Sequence, residues 1–273
     1  MAFRTDGSSH HEGVKNEKVL CEILNTDREL AEAFVPDLHD NVEYSVEQIG
    51  GTTGKTDLRM SLGLPPQTKN ISVKRKKGTS VGSYDYVNST SPISSNPNFA
   101  ALRALCKSFK CGFQPETEVI ESARSQVTEA LTAQRSKLTS KELINILVAH
   151  VIEAYDEIDL ILVNDVVAHN LYGFAPSALP FFKYMRGQHR EAFIRENGKK
   201  SGTVIFKDID GAEYDFGIRL RFETNNGIQA MFGGRPKPKN NSSSPTIKIQ
   251  QDNVKRMLES IHDDDLTVWD FKG

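Results

Sequence analysis

The chain has 273 residues, which is enough for one large domain or two small ones with a substantial core. Hydrophobic residues make up 38% and charged residues 26%, a balance typical of globular proteins that excludes a collagen-like or low-complexity chain. No stretch approaches the roughly 18 apolar residues of a membrane helix, and a net charge of -2 excludes a global basic field.

The first third of the chain predicts a flexible start over residues 1–11, then a helix and three strands. Apolar side chains recur at helical spacing over 12–34, with a bend or break near Asn25-Thr26-Asp27. Alternating segments at 42–49, 56–62 and 70–77 predict strands joined by tight turns, which suggests a meander. Residues 79–97 are rich in Ser, Gly, Asn and Pro and predict a long functional loop.

The remaining two thirds predict helices followed by strands. Helices are expected at about 98–110, 116–136, 140–156 and 177–196, with a buried strand at 159–163. Strands are expected at 203–207, 214–223, 227–232 and 247–249, and a last helix at about 251–261. The sequence therefore predicts an α+β fold with a β-rich C-terminal region. Its three cysteines, Cys21, Cys106 and Cys111, form no CxxC pair, and we expect a reducing, cytoplasmic location.

A carboxylate and an ammonium are predicted to meet on two neighbouring strands. Asp57 begins one of these strands, and Ser72 and Lys74 lie two positions apart on the next, so they share a face. Metal-dependent phosphodiesterases use such a pair, in which the carboxylate holds a divalent cation and the lysine orients or deprotonates the attacking water. An ordinary cross-strand ion pair is the alternative interpretation.

The pattern of Asp57 followed by Ser72-Val73-Lys74 resembles the PD-(D/E)XK nuclease superfamily, in which an Asp begins one strand and an (Asp/Glu)-x-Lys triplet lies on the next. The helix segment 13–18, followed by 55–57 and 73–74, is similar in order to HinP-type type II restriction endonucleases. The resemblance covers about 12–80. It implies a central mixed sheet flanked by helices and a Mg²⁺ ion bound by Asp57, Glu17 and the Val73 carbonyl, with Lys74 activating water. Ser72 replaces the acidic residue of the triplet, so we expect it to orient a metal-bound water, with Glu47 as a possible further ligand.

The resemblance also implies how the chain is divided. Residues 12–110 would form the nuclease core, and 111–273 would complete the fold and contact DNA. The competing motif is a phosphate-binding loop at 50–56, but its glycine spacing is one residue short and it leads into a strand pattern, not a helix.

Basic and aromatic residues near this site and in the C-terminal sheet suggest contacts with double-stranded DNA. The run at 74–77 suggests phosphate clamps, and arginines on a strand can bind guanine O6 and N7. The expected DNA contacts are Lys55, Lys76, Lys77, Tyr84, Arg219, Arg221, Lys237 and Lys239.

These patterns together predict a Mg²⁺-dependent endonuclease of the restriction type that cuts duplex DNA at a short sequence, as a monomer or a homodimer and without a membrane association. Two alternatives are a non-catalytic DNA-binding protein derived from a nuclease fold, and a nuclease that acts on junctions or modified DNA.

Overall fold

The computed structural model describes residues 8–38, 42–49, 55–63, 65–77, 80–81, 83–87, 97–113, 115–187, 191–196, 201–224, 232 and 245–271. It has a mixed α+β architecture with two sheets flanked by helices, which confirms the predicted fold class at that level. No helix in these ranges is long and apolar enough to span a membrane.

The first sheet has the strand order β1-β2-β3-β6-β7-β13, with β4 beside β3. Its β3 and β6 pair in parallel and its other neighbours pair antiparallel, which makes the sheet mixed. Its strands are β1 (Tyr44–Gln48), β2 (Leu58–Leu62), β3 (Gln67–Lys77), β4 (Ser80–Val81), β6 (Leu160–Asp165), β7 (Asn170–Phe174) and β13 (Thr267–Asp270).

The second sheet is antiparallel, with the order β10-β9-β11-β12-β5 and with β8 also beside β9. Its strands are β5 (Ser83–Val87), β8 (Glu191–Glu196), β9 (Ser201–Lys207), β10 (Glu213–Tyr214), β11 (Ile218–Thr224) and β12 (Pro245–Gln251). Because β6, β7 and β13 belong to the first sheet, the boundary expected at residue 110 does not separate the two sheets.

The helices cover the sheets and are α1 (Ser8–Thr26), α2 (Arg28–Phe34), α3 (Pro97–Ser108), α4 (Thr117–Ser136), α5 (Ser140–Leu147), α6 (Pro180–Met185) and α7 (Val254–Glu259). The expected break in the first helix lies at Asp27, whose side chain accepts the Leu30 N–H at 3.0 Å and caps α2. A capping box between Thr139 and Glu142 begins α5. After α5 the chain continues through a π-helical turn and a 3₁₀ turn that ends at Tyr155.

The first sheet is buried on both faces around β3 and β6. Leu20 and Leu24 of α1 pack with Ile71 of β3 in one hydrophobic cluster. Ile161 and Val163 of β6, whose neighbours on β3 are Ser72 and Lys74, face a larger cluster shared with the second sheet. The face of β3 that carries Ser72 and Lys74 therefore lies where the two layers of the molecule meet.

Two predicted segments differ from the structure. The helix expected over 177–196 is the short α6 followed by strand β8. The expected loop 79–97 contains β4 and β5 and the start of α3, while 88–96 lie outside the described residues. The strand expected at 227–232 also lies outside them, apart from Phe232.

Candidate active site

The Asp57 carboxylate is fixed by two donors from β3. Asp57 lies one residue before β2, and its N–H donates to the Ile71 carbonyl at 2.9 Å. Its Oδ2 accepts the Val73 N–H at 2.6 Å and the Ser72 hydroxyl at 3.1 Å. Among the described residues, Oδ1 has no hydrogen-bond partner. One carboxylate oxygen is thus anchored, while the other can bind a cation.

The backbone carbonyl of Val73 points to the same side as this carboxylate. The Ile71 carbonyl, two residues earlier on β3, accepts a hydrogen bond from Asp57, and carbonyls two residues apart on a strand point to the same neighbouring strand. The Val73 N–H also points toward Asp57. This geometry fits the expectation that the Val73 carbonyl is a metal ligand.

Ser72 is 0% exposed, and its hydroxyl donates to Asp57. A buried hydroxyl in that position holds the carboxylate in place and does not contact water in an open groove. The expectation that Ser72 orients a metal-bound water is therefore revised, and we assign it a positioning role.

Lys74 is partly buried, and its ammonium lies 5.7 Å from the ring centroid of Tyr155. Burial alone would lower the pKa of Lys74, but Tyr155, Asp57 and Glu17 together outweigh burial and raise this pKa above the usual lysine value. Lys74 is consequently protonated at neutral pH. It can orient a water or stabilise negative charge, but in this state it cannot accept a proton.

Glu17 on α1 contributes to the charge around Lys74 without direct hydrogen bonding to it. Its Oε2 accepts the Gln48 side-chain amide at 3.0 Å. The negative charge of Glu17 raises the pKa of Lys74 less than Tyr155 and Asp57 do. Glu47, the possible further ligand, lies on the exposed part of β1 and forms an ion pair with Arg59 at 3.5 Å.

The donor set fits a hard cation that retains several waters. The described part of the chain contains no cluster of three or more His, Cys, Asp or Glu residues arranged around one point. Asp57, Glu17 and the Val73 carbonyl offer only oxygen ligands, which suit Mg²⁺, and Mg²⁺ commonly binds proteins through one or two carboxylates and keeps its remaining waters.

Lys76 is held by a carboxylate within the protein. It pairs with Asp165 across the parallel β3–β6 ladder, and Asp165 is 3% exposed. Burial raises the pKa of Asp165, but hydrogen bonds from Lys76 and from the N–H groups of Ala168 and Val167 outweigh it and lower this pKa below the usual Asp value. The charge of Lys76 is thus largely compensated, which weakens the expected phosphate contact.

Tyr84 does not fit a DNA-binding role. Its side chain is 5% exposed, packs edge-on against Tyr155 at 5.6 Å between centroids, and donates from its hydroxyl to Gln251 at 3.2 Å. The ring is buried in the core because β5, which carries Tyr84, pairs with β12 in the second sheet. It therefore cannot reach a DNA groove.

The other expected DNA contacts are spread over the molecule. Lys55 lies beside the site, just before Asp57, and Arg221 is exposed on β11. Arg219 pairs with Asp252 at 2.5 Å. The Lys77 side chain, Lys237 and Lys239 lie outside what the structure describes.

Sequence reasoning missed Tyr155, the aromatic neighbour of Lys74. Tyr155 is 1% exposed, and its hydroxyl lies close enough to the Lys74 ammonium to help raise the pKa of Lys74. It ends the irregular π and 3₁₀ extension of α5, a type of distortion that is frequent at functional sites. Helical periodicity alone could not identify it, because the predicted regular helix would place this side chain differently.

No protein-family model and no curated protein matches the chain.

Proposed function

We propose that the chain is a type II restriction-like endonuclease that hydrolyses phosphodiester bonds of double-stranded DNA at a short specific sequence and depends on Mg²⁺. The observation that carries the proposal is the Asp57 carboxylate, which two donors of β3 hold by one oxygen beside the protonated Lys74. Both residues are partly exposed, and the proposal requires that a substrate phosphate reach the Lys74 ammonium, which lies over the buried Tyr155 ring.

Each residue has a role that follows from its contacts. Asp57, Glu17 and the Val73 carbonyl would hold the cation. When bound, Mg²⁺ supplies Lewis-acid polarisation of the phosphate and lowers the pKa of a coordinated water. Lys74 donates hydrogen bonds to the attacking water or to a phosphate oxygen and offsets negative charge that develops there. Ser72 keeps Asp57 in position.

The second candidate is a DNA-binding protein without catalytic activity. It is favoured by the serine at the acidic position of the triplet and by the small number of carboxylates at the site. With fewer negative ligands, Mg²⁺ binds more weakly, so a protein of this kind can still bind DNA without catalysing its cleavage.

Incubation of the purified protein with plasmid and Mg²⁺ separates the two candidates. Discrete fragments whose sequenced ends share a short sequence support the endonuclease. Retarded but uncut DNA supports the binding protein, with Ca²⁺ as the control that permits binding without turnover. If the DNA is neither retarded nor cut in Mg²⁺ or in Ca²⁺, both proposals are wrong.

A further inference from the structure

A pocket lies at one end of the second sheet, away from Asp57. Its volume is about 480 Å³, within the ~300–1,000 Å³ of typical small-molecule sites. It is formed between the chain before β11, the end of β12 and the helices α6 and α7. One of its lining residues, Gln251, accepts a hydrogen bond from Tyr84, the ring that packs on Tyr155 beside Lys74.

One wall of the pocket is aromatic. Tyr214 and Phe216 stack with their planes 2° apart and their centroids 6.0 Å apart. Phe181, also in the lining, packs against Phe216 at 6.2 Å, and Tyr214 is 39% exposed. Aromatic walls of this kind bind flat ligands by stacking and by contact with their apolar faces.

The polar groups of the pocket are mostly compensated within the protein. The lining contains three carboxylates, of Glu213, Asp215 and Asp252, and two guanidinium groups, of Arg219 and Arg256, so it carries a net charge of -1. Each carboxylate has its own partner. Glu213 pairs with Arg195, Asp252 pairs with Arg219, and Asp215 accepts the Gly217 N–H at 2.8 Å.

This charge pattern selects against ions as ligands. A phosphate would lie against three carboxylates, and a cationic ligand would find no carboxylate without a partner. A neutral ligand that has both donors and acceptors can bond to the remaining lone pairs and N–H groups without the cost of burying a net charge.

From the aromatic wall and the paired arginine and carboxylate we infer that this pocket binds a nucleobase, and that guanine is the base it prefers. An arginine donates two parallel hydrogen bonds to O6 and N7 of guanine. The flat ring of the base lies against the aromatic wall. Asp252 pairs with Arg219 and holds its guanidinium in place, and the N–H groups of Arg219 that Asp252 does not use can donate to the base.

The inference goes beyond the proposed nuclease function and stands without it, because a free nucleoside presents the same base. Only one source of the base, a nucleotide turned out of duplex DNA, rests on that function.

Isothermal titration with free guanosine tests the pocket directly and involves neither cleavage nor metal. We expect guanosine to bind at millimolar concentration and adenosine to bind at least about tenfold more weakly, since one bidentate contact gives discrimination of that order. Arg219→Met should weaken guanosine binding at least about tenfold. Arg186→Met, which removes an exposed arginine paired with Asp156 outside the pocket, should leave it unchanged.

Asp252→Asn provides a second variant that preserves side-chain size if Arg219→Met does not fold, and it should likewise weaken guanosine binding. No binding of guanosine, or equal binding by the Arg219→Met and wild-type proteins, would overturn the inference. A pool of random duplexes added to the uncleaving Asp57→Asn protein identifies the source. Displacement of guanosine by the duplex indicates a base of DNA, and retention of guanosine indicates a free nucleoside.

Discussion

Replacement of Asp57 by Asn separates the chemical role of this carboxylate from its structural role. In the wild-type protein, Oδ2 accepts hydrogen bonds from Val73 and Ser72, and Oδ1 remains for a cation. The single amide oxygen of Asn can accept both hydrogen bonds, but the NH₂ group then occupies the cation position. The variant should keep the local fold and lose the ligand.

The magnitudes of the two effects differ strongly. Weakening two hydrogen bonds from charge-assisted to neutral should lower the free energy of unfolding by about 1 kcal/mol. Loss of a metal ligand removes several kcal/mol of transition-state stabilisation, and each 1.36 kcal/mol is tenfold in rate, so cleavage should fall by at least about 10³-fold. DNA retardation in Ca²⁺ should persist, because the basic contacts do not depend on Asp57.

The matched control is Asp159→Asn, at the residue that precedes β6. Asp159 also accepts a backbone N–H of that strand, from Asn70 at 2.7 Å, but it lies away from Lys74. Initial rates of plasmid linearisation and thermal melts on all three proteins decide the outcome. We expect wild-type rates for Asp159→Asn. If Asp57→Asn cuts within about tenfold of the wild-type rate at an unchanged melting temperature, Asp57 is not the cation ligand.

Three further predictions concern the neighbourhood of the site and the two cores. Lys74→Gln should lower the cleavage rate at least about 100-fold without loss of DNA retardation, because it removes the ammonium but keeps a polar side chain only one atom shorter. An unimpaired rate would exclude Lys74 from the chemistry. Asp165→Asn should lower the free energy of unfolding by about 3 kcal/mol at pH 7, since it leaves Lys76 without its partner. Folding lowers the pKa of Asp165 from the ordinary value of 3.8. The contribution of Asp165 to the free energy of unfolding is therefore full above pH 3.8 and is lost as the pH falls through the folded-state pKa. The melting temperatures of the two proteins should converge in acid, and a constant difference would contradict the assignment. Gly173→Ala should lower the free energy of unfolding in urea by about 1–3 kcal/mol, since its Cβ would lie 2.2 Å from the Phe34 ring. Gly13→Ala, in open space on α1, should raise it by about 0.5–1 kcal/mol. Equal effects of the two substitutions would show that Phe34 of α2 does not pack on β7.

The β2–β3 hairpin could be predicted from the sequence because its alternation is local. Leu58, Met60 and Leu62 are buried and the residues between them are partly exposed, as the pattern indicates. The break at Asp27 was equally predictable, since a carboxylate that caps the next helix acts within three residues. In both places the information lies within a few positions of the residue concerned.

Predictions failed where distant strands determine the structure. The polar composition of 79–97 predicted a loop, yet β5 pairs with β12, more than 150 residues later, and this pairing buries Tyr84. Of the helix expected over 177–196, only Pro180–Met185 is α-helical, and the later segment pairs with β9 as strand β8, which buries Ala192. Strand β7 was not predicted at all, and it fits between β6 and β13 only in the assembled sheet.

The site was predictable in its residues and only partly in their roles. Spacing alone brings Asp57, Ser72 and Lys74 to one face, but it says nothing of the partners that other segments supply. Asp165 reaches Lys76 from β6, and Tyr155 reaches Lys74 from the end of α5. Because of these two contacts, the two lysines differ: the charge of Lys76 is compensated by Asp165, and that of Lys74 lies beside Tyr155 at the candidate site.

Serine at position 72 has a physical consequence for the resting protein. A second carboxylate there would lie within hydrogen-bond distance of Asp57, in a position that is 0% exposed, and the two like charges would repel each other without a cation between them. The serine hydroxyl replaces that repulsion with a hydrogen bond, so the carboxylate is held in place before any cation binds. In the proposed Mg²⁺ site, serine supplies one negative charge fewer than a second carboxylate would, so the affinity for Mg²⁺ would be lower than with two carboxylates. The proposed site would thus be preorganised at the expense of metal affinity, and a substrate phosphate would be needed to complete the ligand set of the cation.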